Sequence, residues 1–334
     1  MTRTILVTGA QGFIGRYLVR ALCDRGDCRV IGAGRSPGNA TRFTHHIHPG
    51  GAEHAAPLPN ALVPDGPNYA YVATDLSHAA AAARLIAETA PDIVFHLAGS
   101  LRDEPFDRLV TNNIVVTRHL CDALAGRGAV LVLGSSGSIY GELGGGGLPL
   151  VETGATEPID LYAATKRTSE DIVRIATRAG RIDGRVARIF NVVGPGQEER
   201  HVAGRIASQL TELRVGRRDG IALGPLTAWR DFIDVRDVAS ALVAIGFAGA
   251  GAGDIFYNVA SGCETQIATV YDLLVTAAGI ADPALAQLPG RAVDIGRQVV
   301  DVSRLRALGW QPRVDLPQSL GDVMHYYLEL ETKA

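Results

Sequence analysis

The feature that most constrains the fold is a glycine-rich turn near the start of the chain. Residues 4–8 (T-I-L-V-T) form a short, β-branched run typical of a buried parallel strand. This run leads directly into Gly9-Ala10-Gln11-Gly12-Phe13-Ile14-Gly15 and then into a helical pattern at residues 16–25. Glycines spaced in this way let the backbone approach a pyrophosphate, which the N–H groups and dipole of the following helix attract. The order strand, turn, helix predicts a dinucleotide site.

Alternating strands and helices continue from this turn to about residue 190. Apolar runs predict further strands at residues 28–33, 69–74, 93–97, 130–133 and 185–190. Helical periodicity occupies residues 79–89, 106–124 and 161–178. Strands that alternate with helices form a parallel sheet covered on both faces. We therefore expect a doubly wound α/β fold that binds ligands at the carboxyl ends of its strands.

The end of the second predicted strand bears on the choice of cofactor. NAD sites usually place an acidic residue here, where it binds the 2′-hydroxyl of the ribose. This chain has Gly34-Arg35-Ser36 instead, and an arginine beside a serine suits a 2′-phosphate. NADP(H) is favoured over NAD(H), which is the alternative cofactor. The competing interpretation of Arg35 is a solvated loop residue.

Residues 37–68 show neither helical nor strand periodicity, so we expect a long connection without regular structure. The segment contains His45, His46, His48 and His54. No regular scaffold or nearby acidic cluster would fix a metal geometry here, so a solvated loop is favoured over a metal site. His96, within an apolar strand, is interpreted as a packed histidine.

Tyr162 and Lys166 stand four residues apart at the head of the helix predicted at residues 161–178. That spacing places both side chains on one helix face, one turn apart. An ammonium close to a phenol stabilises the phenolate, so such a tyrosine can give and take protons near neutral pH. Taken alone, so short a motif more often marks an ordinary surface pair. Ser136, which follows the strand predicted at residues 130–133, belongs to the same ligand crevice.

Composition excludes several classes of partner. The formal net charge of −3 provides no basic field for nucleic acid and no polybasic face for a membrane. The four cysteines show no metal-ligand spacing and are interpreted as reduced thiols. No apolar run is long enough to span a bilayer, and no signal peptide is recognised. We expect a soluble cytoplasmic protein.

Together, these motifs resemble the extended short-chain dehydrogenase/reductase family, in the branch that acts on nucleotide-diphosphate sugars. The resemblance covers nearly the whole chain. It rests on the glycine turn, Asp75-Leu76, His96-Leu97-Ala98-Gly99, Ser136 four residues before Tyr140, Tyr162-x-x-x-Lys166, the run R-I-F-N-V-V-G-P-G at 188–196 and the run R-D-F-I-D-V-R-D-V at 230–238. The individual motifs are modest, but their common order is specific.

The resemblance implies roles for named residues. Tyr162 would be the general acid/base, Lys166 would lower its pKa and hold the nicotinamide ribose, and Ser136 would bind the reacting oxygen. The cofactor would be bound by Gly9, Gln11, Gly12, Phe13, Ile14, Gly15, Arg35, Ser36, Asp75, Leu76, Leu97, Ala98, Gly99, Asn112, Tyr162, Lys166 and Val193. The nucleotide-diphosphate sugar would be bound by Ser138, Asn191, Arg230 and Arg291.

The choice among family members depends on fewer residues. The 4,6-dehydratases carry an acidic residue soon after the serine position, whereas this chain has Gly137 and Ser138. The motifs are most similar to GDP-4-keto-6-deoxymannose 4-reductases, and Arg35 favours a reductase that consumes NADPH. An NAD-dependent UDP-sugar 4-epimerase is the alternative. A non-catalytic redox sensor is remote, since a binder needs neither the serine nor the Tyr/Lys pair.

The resemblance also implies a domain plan and an oligomer. We expect a Rossmann-type nucleotide domain at residues 1–190 and 231–260, interleaved with a smaller substrate-binding lobe at 191–230 and 261–330. A helix is expected to begin near Phe232, with Asp231 or Asp234 as its cap. The helices that carry Asn112 and Tyr162 would pair two subunits into a four-helix bundle, giving a homodimer.

Overall fold

The computed structural model describes residues 2–48, 53–62, 68–142, 149–249, 255–290 and 296–333. The strands are β1 (Arg3–Thr8), β2 (Cys28–Gly34), β3 (Arg42–Ile47), β4 (His54–Pro57), β5 (Tyr69–Ala73), β6 (Ile93–His96), β7 (Val130–Ser136), β8 (Asp183–Ile189), β9 (Asn191–Val193), β10 (Ile221–Leu223), β11 (Trp229–Asp234), β12 (Phe256–Val259), β13 (Glu264–Gln266) and β14 (Leu285–Gln287). The helices are α1 (Phe13–Arg25), α2 (Ala79–Thr89), α3 (Phe106–Leu109), α4 (Val116–Leu124), α5 (Leu161–Arg178), α6 (Val202–Arg214), α7 (Val235–Phe247), α8 (Ile267–Ala278), α9 (Ser303–Ala307) and α10 (Leu316–Lys333). A π-helical turn, Val110–Val115, joins α3 to α4.

Seven parallel strands form the central sheet in the order β12-β8-β7-β6-β1-β2-β5. Successive side chains of a strand point to opposite faces of the sheet, so they pack in different apolar clusters. In β1, Ile5 and Val7 join the cluster under α1 and α7, whereas Leu6 joins the cluster under α2, α4 and α5. Helices therefore cover both faces, and the predicted doubly wound Rossmann-type fold is confirmed.

The strand order reverses between β1 and β6, which lie side by side although four strands separate them in the chain. Gly9 follows β1 at this point with a φ of 72°. A Cβ on Gly9 would lie 2.7 Å from the backbone nitrogen of Ala98, two residues after the end of β6. The two loops meet because position 9 has no side chain. The crevice at a reversal of strand order is where doubly wound sheets bind their ligands.

Two local predictions were wrong. Residues 37–68 are not without regular structure, because β3 and β4 pair as an antiparallel hairpin. Phe43 and Ile47 of β3 are buried in the same apolar cluster as α1, and this packing offsets the weak local pattern. The helix expected near Phe232 begins at Val235, since Phe232 lies within β11.

Both carboxylates expected to cap that helix have defined partners. Asp234 is the cap, since its Oδ1 accepts a hydrogen bond of 2.7 Å from the Arg236 N–H. Asp231 instead accepts from the backbone N–H groups of Ser261 and Gly262 at 2.7 and 2.8 Å. Burial raises the pKa of Asp231 to about 6. Asp231 therefore ties β11 to the turn that precedes β13.

Apart from the β3–β4 hairpin, the strands outside the central sheet all come from the part of the chain after β8. β9, β11 and β13 form a three-stranded sheet, and β10 pairs with β14. α6, α8 and α10 pack on one another, and their apolar side chains join the cluster under α1 and α7. The division into two interleaved lobes, at the boundaries given above, stays a prediction.

Candidate active site

Ser136, Ser138 and Tyr162 meet where β7 ends and α5 begins. Ser136 is the last residue of β7, and its side chain shares a hydrogen bond with the Tyr162 phenol. The backbone N–H and the hydroxyl of Ser138 donate to Ser136 Oγ at 3.2 and 3.0 Å. Asp160 caps α5 by accepting a hydrogen bond of 2.7 Å from the Ala163 N–H. The cap and the strand end together fix the position of the phenol.

Two effects of opposite sign act on the proton affinity of Tyr162. Burial raises the pKa of its phenol, and the Asp160 carboxylate raises it further. The hydrogen bond from Ser136 and the positive charge of Arg102 lower it. The carbon at the centre of the Arg102 guanidinium lies 5.7 Å from the centroid of the Tyr162 ring. The sequence offered no signal for Arg102, which follows β6 in a loop.

Lys166 lies one helical turn beyond Tyr162 on the same face of α5. Its Nζ donates a hydrogen bond of 2.9 Å to the carbonyl oxygen of Gly134 in β7. Burial lowers the pKa of the ammonium to about 8, and the Glu170 carboxylate opposes that shift. That Lys166 lowers the Tyr162 pKa and holds a ribose stays a prediction.

A buried polar network lies beneath the place where Ser136 meets Tyr162, the serine–tyrosine corner. Glu170, fully buried, accepts a hydrogen bond of 2.6 Å from the Ser135 hydroxyl and pairs with Arg188, which is 4 % exposed. Arg188 also donates at 2.9 Å to the phenol oxygen of Tyr140. The Tyr140 hydroxyl in turn donates to Asn258 Oδ1 at 2.8 Å. The network joins α5 to β7, β8 and β12.

The glycine turn is shaped to hold a dinucleotide. A Cβ on Gly15 would overlap the carbonyl oxygen of Gly9, so the first turn of α1 must carry glycine there. Gly12 caps α1 without a side-chain hydrogen bond, and the first turn contains no acidic residue. Backbone N–H groups at a helix start without a side-chain cap or an acidic residue attract a phosphate. The residues present therefore fit the pyrophosphate of a dinucleotide cofactor.

The other predicted residues of this turn pack inward. Gln11 Nε2 donates to the carbonyl oxygen of Pro37 at 3.1 Å, and Gln11 Oε1 accepts from Arg16 at 3.3 Å. Phe13 makes edge contacts with Tyr17 and tilted contacts with Phe43. Ile14 is partly buried against the same cluster. These side chains fix the turn and leave its backbone to meet a ligand.

The residues proposed for the adenosine end surround the ends of β2 and β5. Arg35 and Ser36 are exposed after β2, and the positive charge of Arg35 helps to lower the pKa of Asp75. The main cause of that lowered pKa is the Ser77 N–H, which donates to Asp75 Oδ1 at 2.9 Å. The Leu76 side chain is buried in the core under α2. Only its backbone is placed to meet a ligand.

The β3–β4 hairpin adds residues to this region that the sequence analysis missed. A cleft with a volume of about 590 Å³ is lined by Ser36 together with Arg42, Thr44 and His46 of β3. Arg16, 1 % exposed, holds the cleft wall by donating to the carbonyl oxygens of Asn39 and Arg42 at 2.5 and 2.6 Å. Arg42 thus becomes a second exposed cation near the end of β2.

The loop after β6 approaches Lys166. A Cβ on Gly99 would lie 2.7 Å from Asn113 Oδ1 and 3.3 Å from Lys166 Nζ. Leu97 and Ala98, which precede Gly99 in the chain, lie beside Gly9. Asn112, the predicted residue, donates to Ser100 Oγ at 2.7 Å. Its neighbour Asn113 was missed, although it is buried in the π-helical turn and donates to Thr165 Oγ1 at 3.0 Å.

Two of the predicted substrate residues, Asn191 and Arg230, lie on the paired strands β9 and β11. Asn191 Nδ2 donates to the Asp231 carbonyl oxygen at 2.8 Å and to Gln298 Oε1 at 3.1 Å. Arg230, half-buried in β11, donates to the Trp229 carbonyl oxygen at 2.8 Å. Val193 of β9, predicted as a cofactor residue, is 1 % exposed within the apolar cluster. Arg291 lies outside the described residues.

Comparison with known proteins identifies the family. The sequence model of the NAD-dependent epimerase/dehydratase family matches residues 5–260. The chain belongs to this family. It is 30 % identical to the GDP-6-deoxy-D-mannose reductase of Pseudomonas aeruginosa and 31 % identical to the UDP-glucose 4-epimerase of Mycolicibacterium smegmatis. These matches cover 97 % and 96 % of this chain, respectively, and 97 % of each relative.

Solved structures confirm the fold of this epimerase/dehydratase family member. The structure of RMD from Pseudomonas aeruginosa complexed with NADPH matches with a TM-score of 0.76 and 28 % identity, covering 98 % of this chain and 100 % of that one. The UDP-glucose 4-epimerase of Thermus thermophilus, in complex with NAD, matches with a TM-score of 0.79 and 25 % identity, covering 97 % and 98 %. The resemblance drawn from the motifs is thus confirmed: the protein is an NAD(P)-dependent nucleotide-sugar enzyme of this family.

Two histidines of this epimerase/dehydratase family member, His45 and His96, are packed within the fold. His45 stacks on Phe43 at 4.9 Å between ring centroids, its Nε2 is 2.8 Å from the Gly196 carbonyl oxygen, and burial lowers its pKa to about 4. His96 is buried between the hydroxyls of Thr8 and Thr117, where burial lowers its pKa to about 3. Within the described residues, no three or more His, Cys, Asp or Glu side chains form a metal site, and no helix is long and apolar enough to cross a membrane.

Proposed function

We propose that the protein is an NADP(H)-dependent reductase of a nucleotide-diphosphate 4-keto-6-deoxyhexose, with a GDP-sugar as the favoured substrate. The observation that carries this proposal is the meeting of Ser136 and Tyr162 one helical turn from Lys166, at the crevice end of β7. A hydroxyl, a phenol and an ammonium in this order suit reduction of a ketone, because each can donate to an oxygen that gains negative charge.

Each of the three residues has a part in that reaction. When bound, a nicotinamide cofactor would supply the hydride for the carbonyl carbon of the sugar. Tyr162 donates its proton to the carbonyl oxygen as negative charge develops there, and Ser136 holds that oxygen by a hydrogen bond. Burial keeps the phenol protonated before the reaction, since it raises the pKa of Tyr162. Lys166, whose Nζ is held on the Gly134 carbonyl oxygen, would supply a donor for the nicotinamide ribose.

NADP(H) is the cofactor that the charges favour. Arg35 and Ser36 follow β2 where an NAD site would carry an acid, and Arg42 of the hairpin lies in the same cleft as Ser36. Two guanidinium groups near one ribose suit a 2′-phosphate, which arginine can bind through two hydrogen bonds. The likeness to the NADPH complex of Pseudomonas aeruginosa RMD supports the same choice.

The substrate would enter from β9 and β11. Asn191 and Arg230 lie on adjacent strands, so both would contact one diphosphate, with the Asn191 amide exchanging its hydrogen bond to Gln298 for one to the phosphate. Ser138, hydrogen-bonded to Ser136, would hold the sugar beside the phenol. The GDP-sugar is favoured because the similarity to the Pseudomonas aeruginosa GDP-6-deoxy-D-mannose reductase extends over 97 % of both chains.

The alternative is an NAD-dependent UDP-sugar 4-epimerase. The Mycolicibacterium smegmatis UDP-glucose 4-epimerase matches over a similar share of the chain at 31 % identity, and the same tyrosine chemistry serves both reactions. The two differ in stoichiometry. A reductase consumes one cofactor for each sugar, whereas an epimerase regenerates its own.

One experiment separates them. The purified protein is incubated with GDP-4-keto-6-deoxymannose and NADPH, and in parallel with UDP-glucose or UDP-galactose, while NADPH absorbance and sugar composition are followed. The reductase proposal requires NADPH loss that matches the formation of GDP-6-deoxyhexose. Interconversion of the UDP-sugars by protein that carries tightly bound NAD, without NADPH loss, would overturn it.

We also propose a homodimer that pairs α4 and α5 of two subunits in a four-helix bundle. One face of α5 is exposed along its length and carries Leu161, Ala164, Thr168 and Ile175. Leu161 and Ile175 are 57 % and 60 % exposed, which is unusual for large apolar side chains on one helix face. A second copy of α5 would bury them.

A further inference from the structure

The loop after β6 carries a charged residue to Tyr162 that the proposed reaction does not use. Arg102 Nε lies 2.6 Å from Asp160 Oδ2, and the two side chains are 40 % and 29 % exposed. The same guanidinium carbon lies 5.7 Å from the centroid of the Tyr162 ring. A cation, an anion and the phenol therefore meet at the mouth of the site.

The position of Arg102 is fixed by the segment that precedes it. Ser100 is 6 % exposed, and its backbone N–H donates to Asn113 Oδ1 at 2.9 Å. Asn112 holds the Ser100 hydroxyl at 2.7 Å. Asp160 is fixed as well, since its second oxygen caps α5 through the Ala163 N–H. Both members of the pair are thus held from buried parts of the fold, unlike two long side chains that meet on a surface.

We propose that Arg102 and Asp160 are a pair of positioning residues that set the proton affinity of Tyr162 by opposing charges. The inference rests on the proposed role of Tyr162 as the proton donor. Arg102 stabilises the phenolate and Asp160 destabilises it, so the proton affinity of Tyr162 depends on the balance of the two charges. The Arg102 guanidinium carbon lies 5.7 Å from the ring centroid, close enough for its charge to act on the phenol.

The other groups around the phenol do not place opposing charges beside it. β7 contributes Ser136, which hydrogen-bonds the phenol without charge, and α5 contributes Lys166, whose Nζ is held on the Gly134 carbonyl oxygen. Burial lowers the pKa of His201, which precedes α6, to about 4, and the charge of Arg102 lowers it further. Within the described residues, Arg102 and Asp160 are therefore the charged groups beside the phenol whose removal changes its surroundings in opposite directions.

The variants Arg102→Gln and Asp160→Asn remove one charge each with little change of shape. Asn caps helices as well as Asp does, so Asp160→Asn keeps the hydrogen bond to the Ala163 N–H. Arg102→Lys keeps the positive charge and is the matched control. The double variant removes both charges. Because the pair is partly exposed, the effects should shrink as salt is raised.

The phenol itself can be titrated without measuring activity. A difluorotyrosine placed at position 162 lowers the intrinsic pKa into an accessible range and gives a fluorine NMR signal from that site alone. Arg102→Gln should raise the pKa of this phenol, and Asp160→Asn should lower it. Arg102→Lys should leave it close to wild type, and the double variant should lie between the single ones.

Shifts of the same sign in the two single variants, or no shift in either, would overturn the proposal. So would an equal shift in Arg102→Lys, because that would assign the effect to shape instead of charge. The outcome is independent of the proposed reaction: Tyr162→Phe tests that reaction by turnover, whereas the fluorine titration reports charge at the phenol whether or not a sugar is reduced.

Discussion

Arg188 and Glu170 form a buried ion pair directly beneath the serine–tyrosine corner. Arg188 Nε lies 3.2 Å from both oxygens of the Glu170 carboxylate, and Nη2 lies 2.9 Å from Oε2. Glu170 is one turn beyond Lys166 on α5, and Arg188 is in β8, at the far side of β7. The pair therefore locks α5 against the sheet at the level of the reacting groups.

Removing one partner of this pair should be strongly destabilising. Glu170→Gln leaves the Arg188 guanidinium buried without its counter-charge, and such changes cost about 3–5 kcal/mol. The free energy of unfolding in urea measures the loss. The double variant Glu170→Leu with Arg188→Met buries no charge. Its loss of unfolding free energy should be smaller than the summed losses of Glu170→Leu alone and Arg188→Met alone. Additive losses would contradict the pairing.

Tyr162→Phe should lose turnover by about a hundredfold or more, because a positioned general acid contributes at least that factor. Binding of NADPH, followed by its fluorescence, should change little, since the ring and its packing are kept. The matched control is Tyr326→Phe, which removes a hydroxyl that donates to the Pro57 carbonyl oxygen at 2.9 Å, away from the corner. Equal activity of the two variants would refute the assigned role.

Lys166 should make stability depend on pH in a known direction. Burial lowers its pKa from 10.5 in the unfolded chain to about 8, so between these values the folded protein binds fewer protons. Its contribution to stability therefore rises with pH across that window, and its destabilising effect is complete below about pH 8. The difference in unfolding free energy between wild type and Lys166→Met should change across the same window.

Two measurements check this prediction. Urea unfolding at several pH values gives the stability difference, which should be constant below the window and drift within it. The activity of the wild type should fall as pH rises through about 8, where the ammonium of the free enzyme loses its proton. A stability difference that stays flat from neutral pH to above 10 would show that Lys166 keeps its ordinary pKa.

The central sheet could be predicted because its signals are local. The apolar runs that end at Thr8 and His96 and the glycines between Gly9 and Gly15 impose strand, turn and helix on their own segments. A doubly wound order then brings the strand ends together. Ser136, Tyr162 and Lys166 lie on these locally determined segments, and the family resemblance then gave them their roles.

The residues that were missed depend on tertiary contacts. The hairpin of β3 and β4 has no clear alternation, and it forms because Phe43 and Ile47 find the core beside α1. Arg102 and Tyr162 are far apart in sequence and meet only once Ser100 is fixed on Asn113. No periodic pattern in the sequence predicts either contact.

The choice of cofactor should depend on both arginines near the end of β2. Arg35→Ala and Arg42→Ala should each weaken NADPH binding by about tenfold, because a charge-assisted hydrogen bond to phosphate contributes roughly 1.5–3 kcal/mol. NADH binding should change little in either variant. Calorimetric titration with adenosine 2′,5′-bisphosphate and with AMP measures the phosphate contribution directly. Equal losses for both nucleotides would exclude a 2′-phosphate contact.

The exposed face of α5 should control the oligomeric state. Ile175 is 60 % exposed on that face, and a dimer would bury it against the partner copy. Ile175→Glu would place a charge in the buried interface and should yield monomers in light scattering coupled to size exclusion. The matched control is Val215→Glu, at a site 46 % exposed just after α6, which should leave the mass unchanged. A wild-type protein that is monomeric at micromolar concentration would refute the dimer, and a dimer that survives Ile175→Glu would move its interface away from α5.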